Sequence, residues 1–232
     1  MLCNNKESIA AKISGALGSL SSCLHEPGHF EAGKSRETFT FAATDYTAAV
    51  ILPALVARVN RLAPGITIKI VYSQDFNADD DLLSGKVDFA LGFEEEQKLP
   101  RRGIESMTCF TDDYVVAVRH GHPAIQDSLT QEHYLSAGHV VVRPWMETRG
   151  MIDRYLESQQ VRRRIVVELP SLMIAPLIVS RSDLVVFAPP FPTPQYTLKA
   201  YYSPAPGNSP GHLWMRAQIL AICDGQEPLH AG

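Results

Sequence analysis

Four consecutive polar residues, Thr44-Asp45-Tyr46-Thr47, sit where the apolar period of the chain changes from two to about 3.6. Before them Phe39 and Phe41 alternate with Thr38 and Thr40; after them Ile51, Leu52, Leu55, Val56, Val59 and Leu62 repeat at three and four. A carboxylate, a phenol and hydroxyls in a strand-to-helix turn have two uses. Asp45 or Thr47 can cap the helix, accepting from N–H groups that lack intrahelical partners. The same turn leaves backbone donors and partial positive charge at the end of a strand, which suits a small anionic or polar ligand.

Other constellations carry less. Gly28-His29-Phe30-Glu31-Ala32-Gly33-Lys34-Ser35 matches GxxxxGK[ST] in letters. A phosphate loop needs a strand before it and a helix after it, whereas here Pro27 precedes and a strand follows. His120 and His122 lack the further donors a metal requires and read as a turn. Asp79-Asp80-Asp81 suits a helix start, where acidic side chains meet the helix dipole, better than a cation site. The run Arg162-Arg163-Arg164 reads as a solvated strand entry, since no flanking aromatics offer base stacking. The chain has no CxxC or GxGxxG, and no acid/base pair stands out. The expectation is a binding protein, not an enzyme, with no metal and no cofactor.

The elements that must position these residues alternate. Pro53 inside the first helix predicts a kink or a loosened first turn. Ile66, Ile68 and Ile70 predict a second strand running to Tyr72-Ser73-Gln74, and Asn77–Ser84 a short helix with Leu82 and Leu83 buried. Val87–Phe93 is an apolar run of the length of a buried parallel strand. Tyr114–Val118 predicts another strand. A second series follows: helix Thr130–Leu135 opened by Thr130, strand His139–Arg143, helix Gly150–Gln159, strand Ile165–Leu169, helix Leu172–Ser180 and strand Asp183–Ala188. Strand Thr197–Tyr202 and helix Gly211–Cys223 close the chain. This pattern predicts two α/β blocks with a ligand cleft between them. Ahead of them, Ile9–Leu24 carries an apolar stripe at helical spacing, expected to pack on a second copy of the chain, and Glu31–Arg36 reads as a linker.

With 232 residues, 45% hydrophobic and 20% charged, the composition is that of an ordinary globular protein. A net charge of -4 weighs against unaided DNA binding. No apolar run approaches the roughly 18–20 residues of a membrane span. The amino end lacks the basic start and apolar core of a secretory signal, so a cytoplasmic location without a membrane partner is expected. Cys3, Cys23, Cys109 and Cys223 are scattered at no metal or redox spacing, and reduced thiols are expected.

Six stretches in order resemble the effector-binding region of LysR-type transcriptional regulators, and within that family the branch that senses small aromatic compounds. They are TFTFAATDYTAAVILPALVARVNRLAPGITIKI, LLSGKVDFALGF, DDYVVAVRHGHPAI, SAGHVVVRPW, RRRIVVELPSLMIAPLIVSRSDLVVFAP and SPGHLWMRAQI. The resemblance implies two Rossmann-like lobes of the type 2 periplasmic-binding-protein kind, preceded by a linker helix. Residues 1–35 would be the linker helix and linker, 36–113 with 197–232 the first lobe, and 114–196 the second. It implies a homodimer, possible tetramers at full length, and a small effector in the cleft at the carboxyl ends of strands. By matching position the effector would meet Asp45, Tyr46, Thr47, Tyr72, Ser73, Phe93 and Glu94 from one lobe. The other would supply Arg143, Pro144, Trp145, Met146, Ser171, Leu172 and Phe187. Tyr46, Phe93, Trp145 and Leu172 offer apolar surface for a flat ring, and Arg143 a partner for a carboxylate. The family reads DNA through a helix-turn-helix that these residues do not contain, so this chain is expected to sense and dimerise without binding DNA itself. A free-standing solute-binding protein of the same fold is the alternative, and would need an export signal.

Overall fold

The computed structural model describes residues 30–72, 78–94, 102–125, 128–143, 151–187, 190, 192–193, 195–204 and 209–224. By internal contacts the chain forms two units. The first takes in the described residues up to Ala43, Thr47–Phe110 and the chain from Thr197 onward; the second takes in Thr44–Tyr46 and Thr111–Tyr196. The expected dimerisation helix Ile9–Leu24 lies outside the described residues. Gly33-Lys34-Ser35 belongs to a 3-10 turn, Ala32–Lys34, that runs towards a strand, so the phosphate-loop pattern lacks its helix.

In the first unit, β1 (Thr38–Ala42) lies between β2 (Thr67–Val71) and β3 (Phe89–Phe93), parallel to both. β9 (Tyr196–Tyr202) runs antiparallel to β3, and β4 (Glu105–Asp112) closes the order β2-β1-β3-β9-β4. Successive residues of β1 and β3 face different cores. Phe41 and Phe89 stack at 5.0 Å within a large cluster with α1 (Asp45–Leu62) and α6 (Pro210–Cys223). Ala42 and Ala90 join Leu82 of α2 (Ala78–Leu83) and Val87 in a smaller one. Burial on both faces is why β3 reads as a continuous apolar run.

The helix α1 runs from Asp45 to Leu62 without a break at Pro53. The proline frees the carbonyl of Ala49 from its helical donor, and both residues are on the exposed side, where water satisfies the carbonyl. Its buried stripe is Thr47, Ile51, Leu55 and Val59. This is narrower than the sequence period, for Val56 and Leu62 are 46% and 40% exposed. Leu83, expected inside, is exposed as well. Ser209 caps α6 by accepting from His212 N–H at 3.1 Å, and the His212 ring stacks on Phe89 at 4.3 Å.

The second unit is a sheet of order β5-β8-β6-β7, formed by β5 (Val116–Ala117), β6 (Gly138–Val142), β7 (Arg164–Leu169) and β8 (Leu184–Phe187). β6 is parallel to β7 and β8, and β5 is antiparallel to β8. Val185 packs with Tyr134 of α3 (Gln131–Ser136) and with Ile152 and Leu156 of α4 (Met151–Ser158). Its neighbour Val186 packs on the opposite face with Ala175 and Val179 of α5 (Ala175–Val179). Thr130 caps α3, its hydroxyl accepting from His133 N–H at 3.1 Å. His122 is buried. Its Nδ1 accepts from Ala124 and Ile125 N–H at 3.2 and 3.1 Å, and its Nε2 donates to the Asp183 carbonyl at 3.2 Å. That bonding makes it a fastener of the turn, and among the described residues no group could hold a metal ion.

Candidate ligand-binding site

β1 ends at Ala42 and α1 begins at Asp45, so two residues make the whole connection. The Asp45 carboxylate accepts from Tyr46 N–H at 2.8 Å, Ser171 Oγ at 2.5 Å, Met173 N–H at 3.1 Å and Leu172 N–H at 3.3 Å. Only the first of these belongs to its own helix. The expected cap of α1 therefore serves chiefly the turn that leads from β7 into α5, and Ser171 completes that turn by accepting from Ile174 N–H at 3.2 Å. Burial works against ionisation of Asp45, but the hydrogen bonds from Ser171, Met173, Tyr46 and Leu172 outweigh it and hold the carboxyl below its ordinary value.

Tyr46 is half-buried, and its hydroxyl lies 2.9 Å from that of Tyr196. Tyr196 donates in turn to the Asp112 carboxylate at 3.4 Å and tilts against the Tyr114 ring at 4.9 Å. Burial, then the bond to Tyr46, then nearby negative charge raise the Tyr196 phenol well above its usual range; burial also raises Tyr46. Both stay protonated and can act as donors.

Val142 is in register with Leu169, and Arg143 N–H donates to the Leu169 carbonyl at 2.9 Å. The carboxyl ends of β6 and β7 thus lie side by side, which brings Arg143 and the Pro170-Ser171-Leu172 turn to one edge of the second unit. Arg143 is not a free cation: it pairs with Glu168 at 2.8 Å and with Asp153 at 3.4 Å. Its Nε is buried with no hydrogen-bond partner among the described residues. Asp153 is shared with Arg163, whose side chain is 6% exposed and which donates to Asp153 at 2.6 and 2.9 Å and to the Tyr134 hydroxyl at 3.1 Å. The expected solvated strand entry has, at its middle residue, a buried arginine instead.

The remaining sequence-selected residues scatter. Thr47 is fully buried on the core side of α1. Tyr72 is 71% exposed beyond β2. Phe93 packs against the first unit's large core, and Glu94 pairs with Lys199. Leu172 is half-buried beside Ser171, and Phe187 ends β8 opposite Val116. Ser73, Pro144, Trp145 and Met146 lie outside the described residues. The second unit also has an open hollow of about 420 Å³, lined by Val118, Arg119, His120, Gly121, Ile125, Ser128 and Leu129. No residue of the candidate site lines it, and its Arg119 is already paired with Asp183 at 2.7 Å. Sequence reasoning missed Met173, Tyr196, Asp112, Asp153, Arg163 and Glu168. Each acts through a partner on another element, ten or more positions away, and no local spacing announces such a pair.

Residues 32–217 match the family described as the LysR substrate binding domain. The chain belongs to that family. Among its relatives is the HTH-type transcriptional activator NahR of Pseudomonas putida, 29% identical over 183 residues, or 78% of this chain and 59% of that protein. Among solved structures, a probable transcriptional regulator from Pseudomonas aeruginosa is similar with a TM-score of 0.81 and 35% identity, covering 93% of this chain and 76% of that one. The effector binding domain of BenM with its effector benzoate shares the fold at a TM-score of 0.59 and 13% identity, over 84% of this chain and 97% of that one. This is an effector-binding domain of the LysR type, and it spans a little over half the length of NahR. No described helix is long and apolar enough to cross a membrane.

Proposed function

We propose that this domain senses a small ring-bearing carboxylate for a cytoplasmic, DNA-binding regulator, and acts by binding rather than by catalysis. The observation that carries the reading is the meeting of Arg143, Ser171-Leu172 and Asp45-Tyr46 at the carboxyl ends of β6 and β7. Open α/β sheets bind ligands at such strand ends. The ring lies against Tyr46 and Leu172, and the anionic group turns to the Arg143 guanidinium, because the donors of Ser171 and Met173 are taken by Asp45. Benzoate, the effector in the BenM structure, has this chemistry. Thermal unfolding with a panel of aromatic carboxylates, their neutral amides, sugars and cations tests the reading. A ligand specific for the folded state raises stability by about 2.7 kcal/mol at a hundredfold excess over its Kd. Carboxylates should give the shifts, and Arg143→Ala should weaken them more than it weakens amides. Shifts from sugars or cations alone would overturn the reading.

The same reading makes the domain a homodimer. Strand β2 is an edge of its sheet with Ile70 exposed, and α1 in that unit exposes Val56. In the other unit β7 is an edge with Ile165 and Val166 exposed, and α5 exposes Leu177 by 66%. Apolar edge strands of this kind call for a covering partner. Sedimentation should show dimers that Val56→Glu with Leu177→Glu converts to monomers; a monomeric parent chain at tens of micromolar would refute the proposal.

A further inference from the structure

The last helix of the first unit is apolar on two sides. On one side α6 buries Met215, Ile219 and Ile222 in the large core. On the opposite side Leu213, Ala217, Leu220 and Ala221 are exposed, the two leucines by 46% and 43%. Steps of four, three and one place these four in a single lane, about 12 Å long at the rise of an α-helix. Both flanks of the lane are fixed. Arg216, on one flank, lies 4.5 Å above the Tyr202 ring. Trp214, on the other, meets the ring of Phe30 at 5.4 Å. A helix that only closes a core carries polar side chains outward. Leucines near the two ends of a lane with alanine between them form instead a groove that a second helix can enter.

We propose that this lane is the docking surface for the amino-terminal segment Ile9–Leu24 of the same chain, folded as the helix its spacing predicts. Phe30 is the point at which that segment joins the described chain, and its ring is seated on Trp214 at the edge of the lane. The residues His25 to His29 span at most roughly 17 Å, so Leu24 can reach either end of the lane. Pro27-Gly28 supplies the turn. The segment brings Ile9, Ile13, Ala16, Leu17, Leu20 and Leu24 on one face, the complement an apolar groove requires. Residues 225–232 are a poorer occupant, with Leu229 as their one large apolar side chain. A second copy docked through this lane alone fails on area. Two leucines and two alanines fall far short of the about 800 Å² per partner that a stable interface buries. Dimers then rest on the exposed edges at β2 and β7, not on this segment.

The test uses the full chain with Cys3→Ser and Cys23→Ser, which leaves the buried Cys109 and Cys223, and adds Ala16→Cys with Ala217→Cys. Both positions lie near the middle of their stripes, so the result does not depend on which way the segment runs. Under mild copper-phenanthroline oxidation we expect a disulfide between positions 16 and 217 in a product of monomer mass, with a yield independent of protein concentration. Adding Leu213→Glu and Leu220→Glu, both at exposed positions, should abolish that link. In the chain with its natural cysteines, the two glutamates should speed tryptic cleavage after Lys12 by about tenfold and leave the thermal unfolding of the first unit unchanged. Links found only in products of dimer mass would make a second copy the occupant and overturn the proposal. Free thiols at both positions after oxidation would overturn it too, as would cleavage after Lys12 that the glutamates leave unchanged.

Discussion

Two clusters flank the proposed ligand position, and they handle charge in opposite ways. Around Asp45 a carboxylate is held by uncharged donors, one hydroxyl and three backbone N–H groups. Around Asp153, two guanidinium groups and two carboxylates hold each other: Arg143 with Glu168 and Asp153, and Arg163 with Asp153. The first arrangement satisfies a charge without cancelling it. The second cancels its charges within itself. Among the described residues of these two clusters, an anionic effector would meet no net positive charge. Its recognition must come from directed donors and ring contact, which favours selectivity over raw affinity.

The contrast is broken most severely at Arg163. Its side chain is almost wholly buried, so Arg163→Ala leaves Asp153 with the longer pairing to Arg143 and takes a donor from the Tyr134 hydroxyl inside the second unit. Removing one partner of a buried ion pair costs about 3–5 kcal/mol. We expect a loss of that size by urea denaturation, concentrated in the second unit. A loss below about 1 kcal/mol, the range of surface pairs, would show that the Asp153 cluster is solvated.

Asp45→Asn tests the other cluster and should have a smaller effect. Asparagine keeps one accepting oxygen but sets an NH2 group against the N–H donors that the other oxygen served, and it carries no charge; the site is only half-buried, so we expect about 1–2 kcal/mol lost at pH 7. Because the folded carboxyl titrates below its ordinary value of 3.8, its contribution is complete above that value and disappears as pH falls through the folded pKa. The difference between wild type and variant should hold from pH 7 to pH 5 and shrink only as pH falls below 3.8. An unchanged difference at pH 3 would show that packing, not charge, is at work. Losing the negative charge should also tighten carboxylate binding, with amides unaffected.

Much of the fold was legible because periodicity reports burial directly. Phe39 and Phe41 at period two, followed by Ile51, Leu55 and Val59 at period four, gave β1 and α1, and the LysR resemblance was carried by such stretches in order. Thr130 as the cap of α3 was legible for the same local reason. Val56 and Leu62 misled because periodicity marks an apolar face without saying whether this unit or another molecule covers it. The site was less legible still. Asp45 and Ser171 were each selected, but not as partners, since a bond spanning 126 positions has no local signature. Within Arg162-Arg163-Arg164, nothing in composition tells that the middle side chain turns inward to Asp153.

The smallest expected effect is the one that decides what Arg143 does. Glu168 is half-exposed, so its pairing with Arg143 should contribute no more than about 1 kcal/mol to stability, and Glu168→Gln should fold normally. Yet it removes one of the two carboxylates that balance Arg143. If the Arg143 guanidinium receives the effector's anionic group, its field at the ligand rises, and carboxylates should bind several-fold tighter while their amides do not change. The gain should shrink with added salt, because screening acts over about 10 Å at 0.1 M ionic strength. Isothermal titration at two salt concentrations reads both effects. An affinity that stays the same for both ligand classes would make Arg143 a strut between β7 and α4. The anionic end of the effector would then have to be received elsewhere, and the first place to look would be the turn from Ser171 to Met173, with Asp45 as the competitor to displace.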